Sequence, residues 1–370
     1  MFTKLEKFLD GFRELNVPGN DCIVCHKGKV VFRHFGGFSD REKTRPMTGR
    51  ERFQIFSCSK LITCCAALQL WERGKFQLDD ELYRYLPEYE HMKVKTPAGI
   101  ADARKKITLR HLFTMTAGFN YNIASKSIRC AFDATQGRCP TREVIRYLAQ
   151  DPLDFEPGEK WQYSLCHDVL AAVVEEISGM AFNDFVTKNI FDVLGMESCT
   201  FLLPWAEYDT LVPLYMETSA ENRLVSLVGP GFSGCTPFKP GPCYASGGAG
   251  CVSTVEDYNK LLQAICSGER ILKRATIDMM RTDEFNDEQQ SCTWFGPCYS
   301  YGLGVRCPRR GRPEKTEFGW GGAGGAYYCI DPDREVTVFY MQHVLNSSAT
   351  SKRTKIMDFV NEALNSEASL

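Results

Sequence analysis

The 370-residue chain has no long apolar run, no marked charge excess and no histidine cluster. The first absence leaves no candidate for a membrane-crossing helix, which takes about 20 consecutive apolar residues. The second is a net charge of −2 from 44 basic and 46 acidic residues. It removes the basic patch interleaved with aromatics that marks a nucleic-acid binder. The six histidines include no H-E-x-x-H pair or comparable spacing, so neither a metal nor a cofactor is expected. No G-x-S-x-G elbow occurs, which disfavours an ordinary α/β-hydrolase. The opening MFTKLEKFLDGFRELNVPG lacks the apolar core of an export signal; Leu5, Phe8, Leu9 and Phe12 instead mark one face of a short amphipathic helix. No internal repeat or low-complexity segment is present.

Cysteine, by contrast, is plentiful: 17 residues, scattered and odd in number. A secreted disulfide framework is usually short and even. The expectation is therefore a cytoplasmic protein whose thiols are mostly reduced and buried as small hydrophobes. The cluster CIVCHKG carries the C-x-x-C-H pattern of haem attachment in Cys22, Cys25 and His26. Its context, DCIVCHKGKVVFRHFGG, reads as a strand, a Lys-Gly turn and a second strand. On a strand Cys22 and Cys25 project to opposite faces, which suits neither a chelate nor a redox pair.

Further along, FQIFSCSKLITCCAALQLW holds Ser57 and Lys60 three residues apart. The run after Ser57 is apolar nearly all round, predicting a helix buried on most sides. Residues from about 75 to 245 look mainly helical, with TLRHLFTMTAGF, TREVIRYLAQ, SLCHDVLAAVVEEISG and AFNDFVTKNIFDVLGM as separate helical segments. The Gly/Pro-rich LVGPGFSGCTPFKPGPCYASGGAG is irregular and a candidate cleft lining. Strands return in SYGLGVRC, GGAYYCIDP and EVTVFYMQH, before a terminal helix in SKRTKIMDFVNEALN. The pattern predicts an α/β (α+β) architecture. Residues 1–74 and 246–370 form a sheet domain, 75–245 an inserted helical domain, and the site lies in the cleft between them.

If Ser57 opens the buried helix, Lys60 lies on the same face one turn on. Free helix N-terminal amides favour negative charge near the serine, and desolvation disfavours the lysine ammonium. A neutral Lys60 amine would then take the Ser57 proton. Taken locally, a capping serine with a solvated lysine is the simpler reading. Two later segments alter the balance. Tyr163, in FEPGEKWQYSLCHDVL, precedes a strong helix and offers a proton relay on a cleft wall, or else a packing tyrosine. In EFGWGGAGGAYYCIDP, Trp320, Gly321, Gly322 and Ala323 begin a strand nearly devoid of side chains, which suits close approach of another group, such as a substrate carbonyl, to the backbone. The amides of Ser57 and Ala323 would form an oxyanion hole; a bulge or tight crossing is the alternative for the glycines.

SCSK, YSL and WGG, in that order, resemble the three motifs of the serine β-lactamase and penicillin-binding-protein superfamily: S-x-x-K, Y-x-N or Y-S-x, and K-T-G, H-x-G or W-G-G. The supporting segments ITLRHLFTMTAGF, FEPGEKWQYS, GGAGCVSTVEDY and YGLGV extend the likeness over nearly the whole chain, and it is strongest to the class C β-lactamase-like esterases, which include an acyltransferase branch. The resemblance implies an antiparallel sheet flanked by N- and C-terminal helices. It also implies Ser57 as acylated nucleophile, Lys60 as its base, Tyr163 as an aid to acylation and deacylation, and Ala323 as the second oxyanion donor. Trp320 stands where lactamases keep a lysine or histidine, and Leu165 replaces the asparagine of Y-x-N. With Gly321 and Gly322 these are expected to line the substrate pocket. Both replacements weaken recognition of a β-lactam and suit a less polar substrate. The expected activity is hydrolysis of a short-chain or aryl small-molecule ester. The alternatives are acyl transfer to a small alcohol or amine, weak β-lactamase or D-amino peptidase action, and a binding module with a vestigial site.

Overall fold

The structure, a computed structural model, describes residues 1–218, 223–227, 239–312 and 314–367. The hairpin forms as its alternation predicts: β1 (Gly19–His26) pairs antiparallel with β2 (Lys29–Gly37). Lys27 and Gly28 between them have φ of 51° and 72°, the left-handed pair that a two-residue hairpin turn needs. The chain rejoins this sheet near its C-terminus through β3 (Tyr299–Tyr301), β4 (Arg306–Pro308), β5 (Phe318–Gly321), β6 (Tyr327–Asp331) and β7 (Val336–Met341). The seven strands run in the order β2-β1-β7-β6-β5-β4-β3, each antiparallel to its neighbours.

Alternation along β1 divides its side chains between two layers. Cys22 and Val24 pack with Leu5 and Leu9 of helix α1 (Thr3–Asp10), with Phe12, and with Ile356 and Val360 near the C-terminus. Ile23 and Cys25 enter the larger core on the other face. Cys22 and Cys25 thus lie in different layers, and the C-x-x-C-H pattern closes no chelate. Each fully buried large apolar side chain contributes about 1.5–3 kcal/mol, so covering both faces is what makes these strands, rather than their short length, stable.

The helices of the larger core include α2 (Ser59–Glu72), α3 (Cys166–Ser178) and α4 (Val255–Ser267). Ser59 through Leu70 are all buried, as their unbroken apolar character predicts. Helix α4 starts where the Thr254 side chain accepts from the Asp257 amide and stops at Gly268, φ 73°, the usual left-handed terminator. The C-terminal helix α5 (Ile356–Glu367) follows a 3-10 segment, Ser348–Lys355. The expected helix over these residues is therefore split.

Three local differences from expectation have physical causes. Lys93–Thr96 and Gly99–Asp102 form a hairpin within a region expected to be helical. Only Val94 in it is buried, so its sequence carries no apolar alternation. SYGLGVRC is two strands, not one, because Gly304 turns at φ 85° and has no room for a Cβ, which would sit 2.2 Å from Cys64 Sγ on α2. Residues 228–238 of the Gly/Pro-rich stretch lie outside the described residues. In its later part a Cβ at Gly247 would lie 2.3 Å from the His167 carbonyl and one at Gly248 2.4 Å from Asp168 Oδ2. These glycines thread between α2 and α3. Among the described residues no helix is long and apolar enough to cross a membrane.

Candidate active site

Ser57 lies in a 3-10 turn, Phe56–Cys58, that runs directly into α2. Its side chain caps nothing. The turn is held from several sides: the Tyr258 hydroxyl donates to the Cys58 carbonyl at 2.8 Å, the Ile55 amide to the Cys251 carbonyl at 3.0 Å, and the Cys251 amide to Ser59 Oγ at 3.0 Å. Phe56, just before the serine, has φ 47°, a left-handed conformation that costs a side-chain-bearing residue about 1–3 kcal/mol. Its ring packs with Leu214 and Leu345, which supplies the compensating burial.

Lys60 is fully buried, not solvated. Its Nζ donates to Ser57 Oγ at 3.3 Å, to the Gly248 carbonyl at 2.7 Å and to the Tyr121 hydroxyl at 3.5 Å. It also faces the rings of Tyr163 and Tyr121, 4.6 and 5.2 Å from their centroids. Tyr163 approaches Ser57 from the other side, its hydroxyl donating to Oγ at 2.5 Å. The Trp320 indole N–H donates to that same tyrosine oxygen at 3.4 Å, and the two rings stack at 5.6 Å. Two of the side chains singled out in the sequence, Lys60 and Tyr163, therefore converge on the oxygen of a third, Ser57, and a fourth, Trp320, supports them.

Ser57, Tyr163, Trp320, Gly321, Gly322 and Ala323 border a cavity of about 460 Å³. This is within the size range of small-molecule sites. Trp294 and Phe295 add aromatic surface, and among the described residues no carboxylate lines the cavity. A family model described as Beta-lactamase matches residues 5–360. The chain belongs to the β-lactamase family.

Its relatives narrow the class. It is 32% identical to Esterase EstB of Burkholderia gladioli, over 75% of this chain and 73% of that one. It is 28% identical to Acyltransferase calJ of Penicillium decumbens, over 78% and 74%. Among solved structures, EstCE1, described as a hydrolase with promiscuous acyltransferase activity, superposes with a TM-score of 0.79 at 25% identity, covering 97% of this chain and 98% of that one. The protein is thus a β-lactamase-fold enzyme of the serine hydrolase and acyltransferase type.

This β-lactamase-family chain departs from the sequence expectation at one point. Leu165 does not reach the cavity. It is buried in the hydrophobic core, with its amide on the Asn120 carbonyl, because it is the residue from which α3 starts inward. The glycines of the β5 end are explained by the chain's own packing. A Cβ on Gly322 would lie 2.6 Å from the Ile55 carbonyl oxygen, and one on Gly321 2.5 Å from the Arg353 guanidinium.

Two residues close to the reacting atoms escaped the sequence reading. Tyr121 stacks on Tyr163 with centroids 5.4 Å apart and planes 7° from parallel; burial pushes its hydroxyl well above the ordinary tyrosine range. Asp168, fully buried on α3, accepts from Ser246 Oγ at 2.6 Å and from the Tyr244 hydroxyl at 3.0 Å. Burial raises its carboxyl, against the opposing pull of the Ser246 hydrogen bond and the Lys60 charge. A Cβ on Gly248 would meet both Asp168 Oδ2, at 2.4 Å, and Lys60 Nζ, at 3.3 Å, so the acid sits just behind the lysine. The sequence signal for Asp168 was an acidic residue immediately before the apolar run Val169–Val174.

Proposed function

We propose that the protein hydrolyses short-chain or aryl carboxylic esters through an acyl-enzyme on Ser57. The observation that carries this reading is the convergence of Lys60 Nζ and the Tyr163 hydroxyl on Ser57 Oγ, at 3.3 and 2.5 Å, at the edge of the cavity. In the proposed cycle Oγ attacks the ester carbonyl carbon while its proton passes to the neutral Lys60 amine. The Ser57 and Ala323 amides receive the oxyanion; losing one such donor costs about 3 kcal/mol of transition-state stabilisation. Tyr163 gives its proton to the departing alcohol oxygen and regains one from Lys60. Water then repeats the attack on the acyl-enzyme and releases the acid. The aromatic surface of Tyr163, Trp294, Phe295 and Trp320 supports a flat or aryl substrate.

The expected result is a burst of p-nitrophenol from p-nitrophenyl acetate, absent in Ser57→Ala, with the acyl adduct visible by intact mass. No burst and no adduct across several acyl lengths overturns the reading. A second reading, transfer of the acyl group to an alcohol or amine, is favoured by the acyltransferase among the relatives. It predicts that an added alcohol diverts product from acid to new ester. Trp320 in place of a cation argues against efficient β-lactam turnover. The proposed division into a sheet domain (1–74, 246–370) and an inserted domain (75–245) is supported by the origin of all seven main-sheet strands in the outer segments. The free thiols of the described chain support a reducing, cytoplasmic setting.

A further inference from the structure

In the acylation proposed above, the fully buried Lys60 amine becomes an ammonium inside the protein. A buried charge without a partner of opposite sign is costly, so the groups around Nζ decide how readily the step occurs. From its own segment it meets Cys58 and Cys64, whose thiols burial pushes up, the first to about 12. From α3 come Cys166, pushed up by burial to about 12, and His167, pushed down by burial to about 3. Tyr121 lies beside the amine and Tyr244 beside Asp168, and burial holds both well above the ordinary tyrosine range. These thiols, this imidazole and these two phenols are uncharged at neutral pH. Tyr163 faces the amine with its ring. Arg306 and Arg353, at the border of the cavity, have the same sign as an ammonium and oppose it. Among the described groups that face Lys60, Asp168 supplies the negative charge.

Burial opposes ionisation of Asp168, while its contacts with Ser246, Lys60, Tyr244 and the Gly248 amide favour it. Ser246 Oγ, which donates to Oδ1 at 2.6 Å, accepts in turn from the Ala249 amide at 3.0 Å. The Gly247 carbonyl accepts from Thr63 Oγ1, on α2, at 2.7 Å. The turn over residues 246–249 is thus pinned to α2 and to α3, and it presents the Gly248 carbonyl that accepts from Lys60 Nζ at 2.7 Å. The Cβ position of Gly248 lies 2.4 Å from Asp168 Oδ2 and 3.3 Å from Lys60 Nζ, so the two charged atoms lie within about 6 Å of each other. Opposite charges at that range stabilise one another, and glycine leaves no side chain between them.

We propose that Asp168 is a positioning residue of the acylation step: through the Ser246–Gly248 turn it holds the Lys60 amine toward Ser57 Oγ, and its negative charge stabilises the ammonium that Lys60 becomes. The proton moves from Ser57 Oγ to Lys60 Nζ and on through Tyr163 to the departing alcohol; Asp168 takes none of it. The inference rests on the Ser57 and Lys60 reading and adds the counter-ion to it.

The test is the pH dependence of acylation, read from the p-nitrophenol burst and from kcat/KM with p-nitrophenyl acetate. Acylation rises with pH as Lys60 loses its proton. Asp168→Asn keeps the shape and an acceptor oxygen but removes the charge. Without the anion the ammonium is less favoured, so the acid limb should move to lower pH by about one unit or more. The plateau kcat/KM should fall about 10–100-fold, because the amine is a weaker and less firmly placed base. Ser246→Ala loosens the turn but keeps the charge; it should lower kcat/KM without moving the limb to lower pH. Far-UV circular dichroism and melting verify that each variant is folded. If Asp168→Asn does not fold, Gly248→Ala decides: its methyl would stand 2.4 Å from Oδ2 and 3.3 Å from Nζ, and by forcing them apart should move the limb in the same direction. A limb that stays within about 0.3 unit, a twofold change in the protonation equilibrium, overturns the proposal and leaves the Ser57 reading intact. So does a limb that Ser246→Ala moves down as far as Asp168→Asn does. Failure of the unmutated enzyme to form an acyl adduct with any ester overturns the Ser57 reading, and this inference with it.

Discussion

Replacing Lys60 by methionine isolates the proton acceptor from the packing around it. The side chains are similar in length, and Lys60 is fully buried. The substitution removes the donor to Ser57 Oγ at 3.3 Å and the donor to the Gly248 carbonyl at 2.7 Å, but leaves the Tyr163–Ser57 hydrogen bond in place. Loss of a positioned general base lowers rate by about 10²–10⁴, or about 3–5 kcal/mol at 1.36 kcal/mol per tenfold. The unpaired Gly248 carbonyl destabilises the fold by about 1–3 kcal/mol, offset in part because a buried polar amine is also removed. Acylation should therefore fall far more than stability. The assay is rapid-mixing measurement of the p-nitrophenol burst, with the rate of fluorophosphonate labelling by intact mass as a second readout. Adding Tyr163→Phe should cost less than the product of the single effects, since both groups act on one oxygen. Acylation by Lys60→Met within about threefold of the unmutated rate, against the expected range for a general base, would falsify the assignment and move the base elsewhere.

Three further outcomes follow from other parts of the site and core. Gly322→Ala should lower kcat/KM by about tenfold or more while the protein stays folded, since its Cβ would meet the Ile55 carbonyl at 2.6 Å and push β5 from the Ser57 turn; unchanged kinetics would mean the Ala323 amide takes no part. Trp320→Phe keeps the ring but loses the N–H at 3.4 Å from the Tyr163 oxygen, so kcat/KM should fall about fivefold, near 1 kcal/mol, and no change would assign Trp320 to packing alone. His343 is pushed down to about 3 by burial. The unfolded chain takes that proton near pH 6.5, so above that pH neither state is protonated. Between about 6.5 and 3 only the unfolded state binds it, and stability falls as pH falls, by about 1.4 kcal/mol per unit. In urea titrations from about pH 7 to 5, His343→Gln should flatten the pH dependence by about that slope; an unaltered slope contradicts the argument.

The sequence by itself determined those features whose cause is local or periodic. Alternation identified β1 and β2 and separated Cys22 from Cys25; an unbroken apolar run identified α2; residue type and spacing singled out Ser57, Lys60, Tyr163 and the Trp320–Ala323 segment. The tertiary structure decided what depends on approach between distant segments. Leu165 turned inward because α3 begins there, and a main-chain direction has no signature in residue type. Tyr121, Asp168 and Gly248 gather behind Lys60 from three separate stretches, and nothing in any one stretch records that meeting. The glycines of WGGAGG are similar: their cause is the nearness of Ile55, Phe56, Arg353 and Gln342. Charge shows the same division. Composition reports near neutrality, but only the folded chain places Arg306 and Arg353 on one cavity wall that has no carboxylate among the described residues, because electrostatic environment is set by separation in space and burial, not by order along the chain.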